Sequence, residues 1–212
     1  MLKGRVVLVT GGSAGIGRDI ALGLGGMGAA VTVVDGPIES HSDAERAFAD
    51  AAGSARVDGV VHALVDPDAL APVALADTDE AAWDRRCESA LRTALWCAQA
   101  AYGVFAGRGG RLVFVTPTIG LTGGAGLAPY ATAVEGMRSL AKSAARQWGS
   151  HGVTVNCVAP PVALVDPAGT AASTGPDGRA DVAPVVAMLL AGPTHFVTGQ
   201  TLAVDGGHVM AP

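Results

Sequence analysis

The chain's 212 residues are 50% hydrophobic and 16% charged, which is enough to bury a full core without disulfides or a structural metal. A net charge of −5 leaves no basic footprint for nucleic acid or an anionic membrane surface, and no apolar run reaches the roughly 18 residues of a membrane span. Cys87, Cys97 and Cys157 are odd in number and lack CxxC spacing, which argues for reduced thiols in a cytoplasmic protein and against a metal centre.

The first strand pattern, RVVLVT (5–10), begins too early for a signal peptide to precede it. It runs into TGGSAGIGRDIALGL, a glycine turn followed by a helix over 15–27 with Ile16, Ile20 and Leu24 on one face. Gly11 permits the tight turn, Gly15 brings the backbone near a pyrophosphate, and Gly17 lets the helix lie close on the sheet. The exposed N–H groups and the helix dipole favour an anion at that end. The second strand, VTVVD, ends at Asp35, eighteen residues after Gly17. An acidic side chain there accepts from both ribose hydroxyls and repels a 2′-phosphate, so it points to NAD over NADP.

A helix over 42–52 follows, then the strand pattern VDGVVHALV (57–65), a long helix over 79–106 and GGRLVFVT (109–116). Beyond these come a helix over 130–149, GVTVNCVAP (152–160), a helix over 182–191 and GQTLAVDG (199–206). Several strands are apolar almost throughout, as in a parallel sheet covered on both faces. The alternation predicts one doubly wound α/β domain over 1–212, a Rossmann-type sheet with helices on both faces. The stretch 166–181 is rich in Pro, Gly, Ser and Thr and reads as a mobile, shortened substrate loop.

Five segments occur in the order seen in the short-chain dehydrogenases/reductases: TGGSAGIG (10–17), WDRRCESALRTALWCAQA (83–100), GRLVFVTPTIG (110–120), GVTVNCVAP and FVTGQTLAVDGG (196–207). The chain resembles that family over nearly its whole length. The resemblance implies NAD contacts at Gly11, Ser13, Gly15, Ile16, Gly17 and Asp35, and an Asn–Ser–Tyr–Lys catalytic tetrad. Carried over position by position, only the tyrosine is present, as Tyr130. The lysine position, four residues on and on the same helix face, is Val134. The serine position is Pro117 and the asparagine position is Ala90.

An unassisted tyrosine has a pKa near 10 and is a sluggish base at neutral pH. Loss of the serine removes a donor to the substrate oxygen, a loss of about 10²–10³ in rate. Pro117 offers no N–H in its place. Thr118 would replace the serine if the loop turned it inward. His62 closes a strand at the sheet's carboxyl edge, where it either hydrogen-bonds the loop or serves as a substitute acid–base. The family's NNAG is here His62-Ala63-Leu64-Val65, so Val65 adds bulk where the nucleotide would lie against glycine. Its PG is Pro160-Pro161.

Between Asp35 and DGVVHA only 22 residues (36–57) stand where the family fits a helix, a strand and another helix. This predicts the loss of one helix beside the adenine pocket and at most a strand remnant around Ile38–His41. The apolar positions Trp83, Cys87, Ala90, Leu91, Ala94, Leu95 and Ala98 recur at helical spacing. Matching helices of the family pair between subunits, which implies a homodimer, a homotetramer or a hetero-oligomer with an active relative.

Three functions are open on this reading. The first is a catalytically impaired, structural or regulatory subunit that keeps a nucleotide loop. The second is an active NAD-dependent oxidoreductase of carbonyl or alcohol substrates, with Tyr130 helped by Thr118, His62 or a partner residue. The third is a lyase or isomerase reusing the same cleft.

Overall fold

In the computed structural model, which describes residues 1–164 and 182–210, six parallel strands form one sheet in the order β2-β1-β3-β4-β5-β6. They are β1 (Val6–Thr10), β2 (Ala30–Val34), β3 (Gly59–His62), β4 (Gly110–Val115), β5 (Val153–Ala159) and β6 (Thr201–Ala203). Neighbouring side chains on a strand point to opposite faces, and both faces here are apolar. Leu8, Val60, Leu112, Phe114 and Val155 bury one face under α2 (His41–Ala52), α4 (Ser89–Phe105) and α6 (Ala128–Trp148). Val7, Val9, Val61, Val113 and Val158 bury the other under α1 (Gly15–Gly26) and α7 (Ala183–Leu190). Small residues allow this closeness: a Cβ placed on Gly23 of α1 would lie 2.4 Å from the Cβ of Ala183.

The predicted helix over 79–106 is three pieces. A short α3 (Glu80–Trp83) is capped by Asp79, which accepts from the Ala82 N–H at 2.7 Å. A π-helical turn over Asp84–Glu88 then shifts the phase before α4. A four-residue α5 (Ile119–Thr122) leads from β4 towards α6.

The expected strand remnant around Ile38–His41 does not exist. Ser40 is the N-cap of α2 and accepts from the Asp43 N–H at 3.1 Å, so His41 is already helical and Ile38 and Glu39 are loop. One helix therefore carries the chain from β2 across β1 to β3, and a strand as well as a helix is missing from the expected crossover. As a result β2 is the sheet edge, and Val33 on it is 36% exposed. The predicted loop over 166–181 lies outside the described residues.

The chain leaves β1 for β2 on one side and returns to β3 on the other. That reversal opens a crevice at the carboxyl ends of β1 and β3, the place where open α/β sheets bind ligands.

Candidate functional site

The glycine loop fills one end of this crevice. Gly11 has a φ of 69°, and a Cβ on it would lie 2.7 Å from the Cα of Leu64. A Cβ on Gly17 would lie 2.1 Å from the Gly11 carbonyl oxygen. Neither position admits a side chain. At the start of α1 the N-cap is Ala14, which has no side chain able to cap, and the first turn holds no acid. The helix N–H groups are left for water or a ligand. Beside them lies a cavity of about 150 Å³ lined by Gly11, Ser13, Ile16, Gly17, Leu64 and Val65, among others.

A second cavity, of about 330 Å³, lies past the end of β3 and is lined by His62, Arg85, Ser89, Ala90, Thr93 and Tyr130, with Leu64, Val65 and Pro67. Leu64, Val65 and Pro67 line both cavities and so form the partition between them. Tyr130 comes from the first turn of α6 and is 3% exposed. Val134 sits one turn on, fully buried, in an apolar cluster with Ala69, Ile119, Tyr130 and Ala131. Burial pushes the Tyr130 phenol above the usual tyrosine range, because the phenolate would lie among hydrocarbon.

His62 is 2% exposed, and its Nδ1 shares a 3.0 Å hydrogen bond with the Thr10 hydroxyl. Its ring meets Phe114 edge-on, with centroids 5.6 Å apart. Burial lowers its pKa to about 4, so the imidazole is neutral at physiological pH. His62 is thus tied to β1 and also lines the Tyr130 cavity.

Thr118 is buried, but it does not line that cavity. Its N–H donates to the Pro160 carbonyl at 2.8 Å, as the Thr116 N–H does to Val158 at 2.9 Å. Parallel pairing uses alternate N–H groups on each side, so the missing donor at Pro117 falls where this pairing needs none. Asp35 follows β2, is exposed, and lines an open groove along α2 that shares Gly36, Pro37 and Glu39 with the Tyr130 cavity.

The structure thus brings Gly11, Ser13, Ile16 and Gly17 to one cavity, and Tyr130, His62 and Ala90 to the next. It leaves Thr118 and Asp35 outside both. Arg85, Ser89 and Thr93 were missed by sequence reasoning, although their i, i+4, i+8 spacing marks one helix face. Chemically, the second cavity offers a neutral phenol, a neutral imidazole, one cation, two hydroxyls and, from Glu39 and Asp66, two carboxylates. These groups can hold and orient a polar ligand.

Among the described residues no group of three or more His, Cys, Asp or Glu could hold a metal ion. The three cysteines are buried free thiols, and burial raises Cys97 to about 12 and Cys157 to about 11, which makes them poor nucleophiles. No described helix is long and apolar enough to cross a membrane.

A family model described as Enoyl-(Acyl carrier protein) reductase matches residues 27–209. Cis-4-hydroxycyclohexanecarboxylate dehydrogenase of Sinomonas cyclohexanicum is 35% identical, covering 96% of each chain. The 3-oxoacyl-[acyl-carrier-protein] reductase of Vibrio cholerae is 33% identical over 99% of each. The (2S)-[(R)-hydroxy(phenyl)methyl]succinyl-CoA dehydrogenase subunit BbsD of Thauera aromatica is 30% identical over 97% of each. A short-chain dehydrogenase/reductase structure from Mycobacterium ulcerans superposes with a TM-score of 0.85 at 23% identity, covering 97% of this chain and 90% of that one. With a fold that superposes on that structure, relatives above 30% identity over nearly the whole length and a family match over residues 27–209, the chain belongs to the short-chain dehydrogenase/reductase family.

Proposed function

We propose that this family member is impaired in ordinary hydride-transfer catalysis and acts as a nucleotide-binding, structural or regulatory subunit. The surroundings of Tyr130 carry the reading. A tyrosine base needs a nearby cation to bring its pKa down, and here a fully buried valine and an apolar cluster move it up. Ala90 lines the cavity without offering a hydrogen bond, and Pro117 supplies neither hydroxyl nor N–H.

A dinucleotide fits the chain better at one end than at the other. The uncapped start of α1 and the glycine-loop cavity suit its diphosphate, with Gly11, Ser13, Ile16 and Gly17 around it and Gly15 opening the helix without lining the cavity. Asp35 would accept from ribose hydroxyls and repel a 2′-phosphate, which favours NADH over NADPH. When bound, the nicotinamide would supply the hydride chemistry. Leu64, Val65 and Pro67, however, separate the diphosphate end from the Tyr130 cavity. Weak binding is therefore expected, shifted from micromolar towards millimolar.

Calorimetry with NADH and NADPH, alongside turnover assays on ketones and alcohols, tests the reading. A turnover of about 1 s⁻¹ or more, abolished by Tyr130→Phe, would overturn it. Assembly with a second copy or an active relative belongs to the same proposal. Leu95, 40% exposed on α4, is an apolar side chain such a contact would cover, and the Thauera relative is itself named a subunit. The buried reduced thiols suit a cytoplasmic setting.

A second reading, an active NAD-dependent oxidoreductase, is favoured by the Arg85, Ser89 and Thr93 stripe and by the relatives' names. In that case α4 supplies the donors that the usual serine no longer gives. Ser89→Ala and Thr93→Val would then lower kcat.

A further inference from the structure

At the opposite edge of the sheet, the loops before β1, β3, β4 and β5 enclose a cavity of about 270 Å³ lined by Arg5, Arg56, Asp58, Arg108, Arg111 and Gly152, with Gly109 and Gly110. Four of the chain's 14 Lys and Arg residues meet there, in a protein whose net charge is −5. Asp58 is the one acid of the lining, and it is already engaged. It accepts from Arg5 Nη1 at 2.9 Å and from the Val6 N–H at 3.0 Å, and Arg56 Nε lies 3.7 Å away. Arg108 makes no ion pair among the described residues.

Arg111 is held in place rather than neutralised. Its Nη1 donates to the carbonyls of Gly110 at 3.1 Å and Gly152 at 3.3 Å, and its buried Nε has no partner. Burial and the neighbouring Arg5 both push its pKa down, the mark of like charges crowded in a partly dry place. A buried unpaired donor and like charges gathered beside it cost free energy that the Arg5–Asp58 pair offsets only in part. An anion with several oxygens would offset the charge excess.

We propose that this cavity is an anion site, distinct from the glycine loop, for a small molecule carrying a diphosphate or a comparable cluster of phosphate oxygens. Guanidinium groups match phosphate oxygens two at a time, and four of them around one opening suit more than a single phosphate. The site lies at the amino ends of the strands, whereas the crevice with Tyr130 lies at their carboxyl ends. Occupancy of one therefore leaves the other open.

Inorganic pyrophosphate is the probe, titrated calorimetrically into the whole chain at constant ionic strength, with potassium chloride as the blank. Wild type should bind pyrophosphate saturably, with one equivalent at this cavity that persists when the glycine loop is blocked. The double variant Arg56→Gln/Arg108→Gln leaves the Arg5–Asp58 pair intact and should weaken binding at least about tenfold for each guanidinium removed. Ser13→Asp places a carboxylate in the glycine-loop cavity and should leave this binding unchanged. Binding abolished in Ser13→Asp and kept in the double variant would move the anion to the glycine loop and overturn the proposal. So would heats no different from the chloride blank.

Discussion

Val134→Lys restores the family's missing cation, and its outcome turns on what surrounds position 134. Val134 is fully buried, its cluster partners Ala69, Ile119, Tyr130 and Ala131 bring no acid, and one methyl lies 2.8 Å from where a Gly120 Cβ would stand. The nearest carboxylate in sequence, Glu135, is paired with Arg138. A fully buried lysine shifts its pKa by up to about 3–5 units at 1.36 kcal/mol each, or roughly 4–7 kcal/mol. The flexible stem lets the ammonium reach towards the Tyr130 cavity and recover part of this, leaving a loss of about 3 kcal/mol. For a chain of this size that lowers Tm by about 6–12 °C. Val134→Met adds length without charge and should lose less than about 1.5 kcal/mol.

The pH dependence separates charge from size. The folded-state pKa of the new lysine falls below its unfolded value near 10.4, so the deficit is full below the folded pKa and shrinks as pH rises towards about 10.4. Urea unfolding of the three proteins at pH 7 and near pH 10 reads this directly. Little carbonyl reduction is expected, because serine, tyrosine and lysine act as a unit and single repairs recover little. A variant as stable as wild type at pH 7 that also reduces ketones would show a cavity still built for the tetrad, and the impaired reading would fail.

The raised Tyr130 pKa predicts that the difference in phenolate absorbance between wild type and Tyr130→Phe stays near zero at about pH 10; a full phenolate signal there would refute the burial. His62 is lowered to about 4, so its contribution to stability is present above about pH 6.5 and lost as pH falls towards about 4, a span worth roughly 3 kcal/mol. That acid loss should vanish in His62→Asn, and urea midpoints at both ends of the window measure it. Val65→Gly removes bulk from the partition between the cavities and should tighten NADH binding about tenfold by calorimetry.

The sheet was legible because each strand is a short β-branched run and the helices between them are amphipathic or alanine-rich. The shortage of residues over 36–57 announced the reduced crossover, but the expected strand remnant is absent from it. Ser40 followed three residues later by Asp43 is a helix-start signal, and it outweighs a lone isoleucine as the sign of a strand. The π turn at Asp84–Glu88 was not readable, since one extra residue per turn leaves the composition unchanged. At the site, Tyr130 and Ala90 line one cavity, and Val134 is buried one turn beyond Tyr130. Thr118 did not join them, because its N–H continues the pairing towards Pro160 and fixes the backbone there. Arg85, Ser89 and Thr93 were visible as a polar stripe, but matching single positions to a tetrad draws attention away from what replaced it.

The glycines of the first loop do not all testify to a nucleotide. Gly11 is pressed against the Leu64 backbone and Gly17 against the Gly11 carbonyl, so packing alone would keep both. Gly15 and Ala14 are different. Gly15 takes a φ of 50° at the very start of α1, and Ala14 leaves that helix end uncapped beside the 150 Å³ cavity. A serine or aspartate at position 14 would cap the helix and typically stabilise it by about 1 kcal/mol. An uncapped start next to an opening is a local loss in stability that an anion on the helix N–H groups would make good. The case for a retained nucleotide therefore rests on that end of the loop, and not on the number of glycines in it.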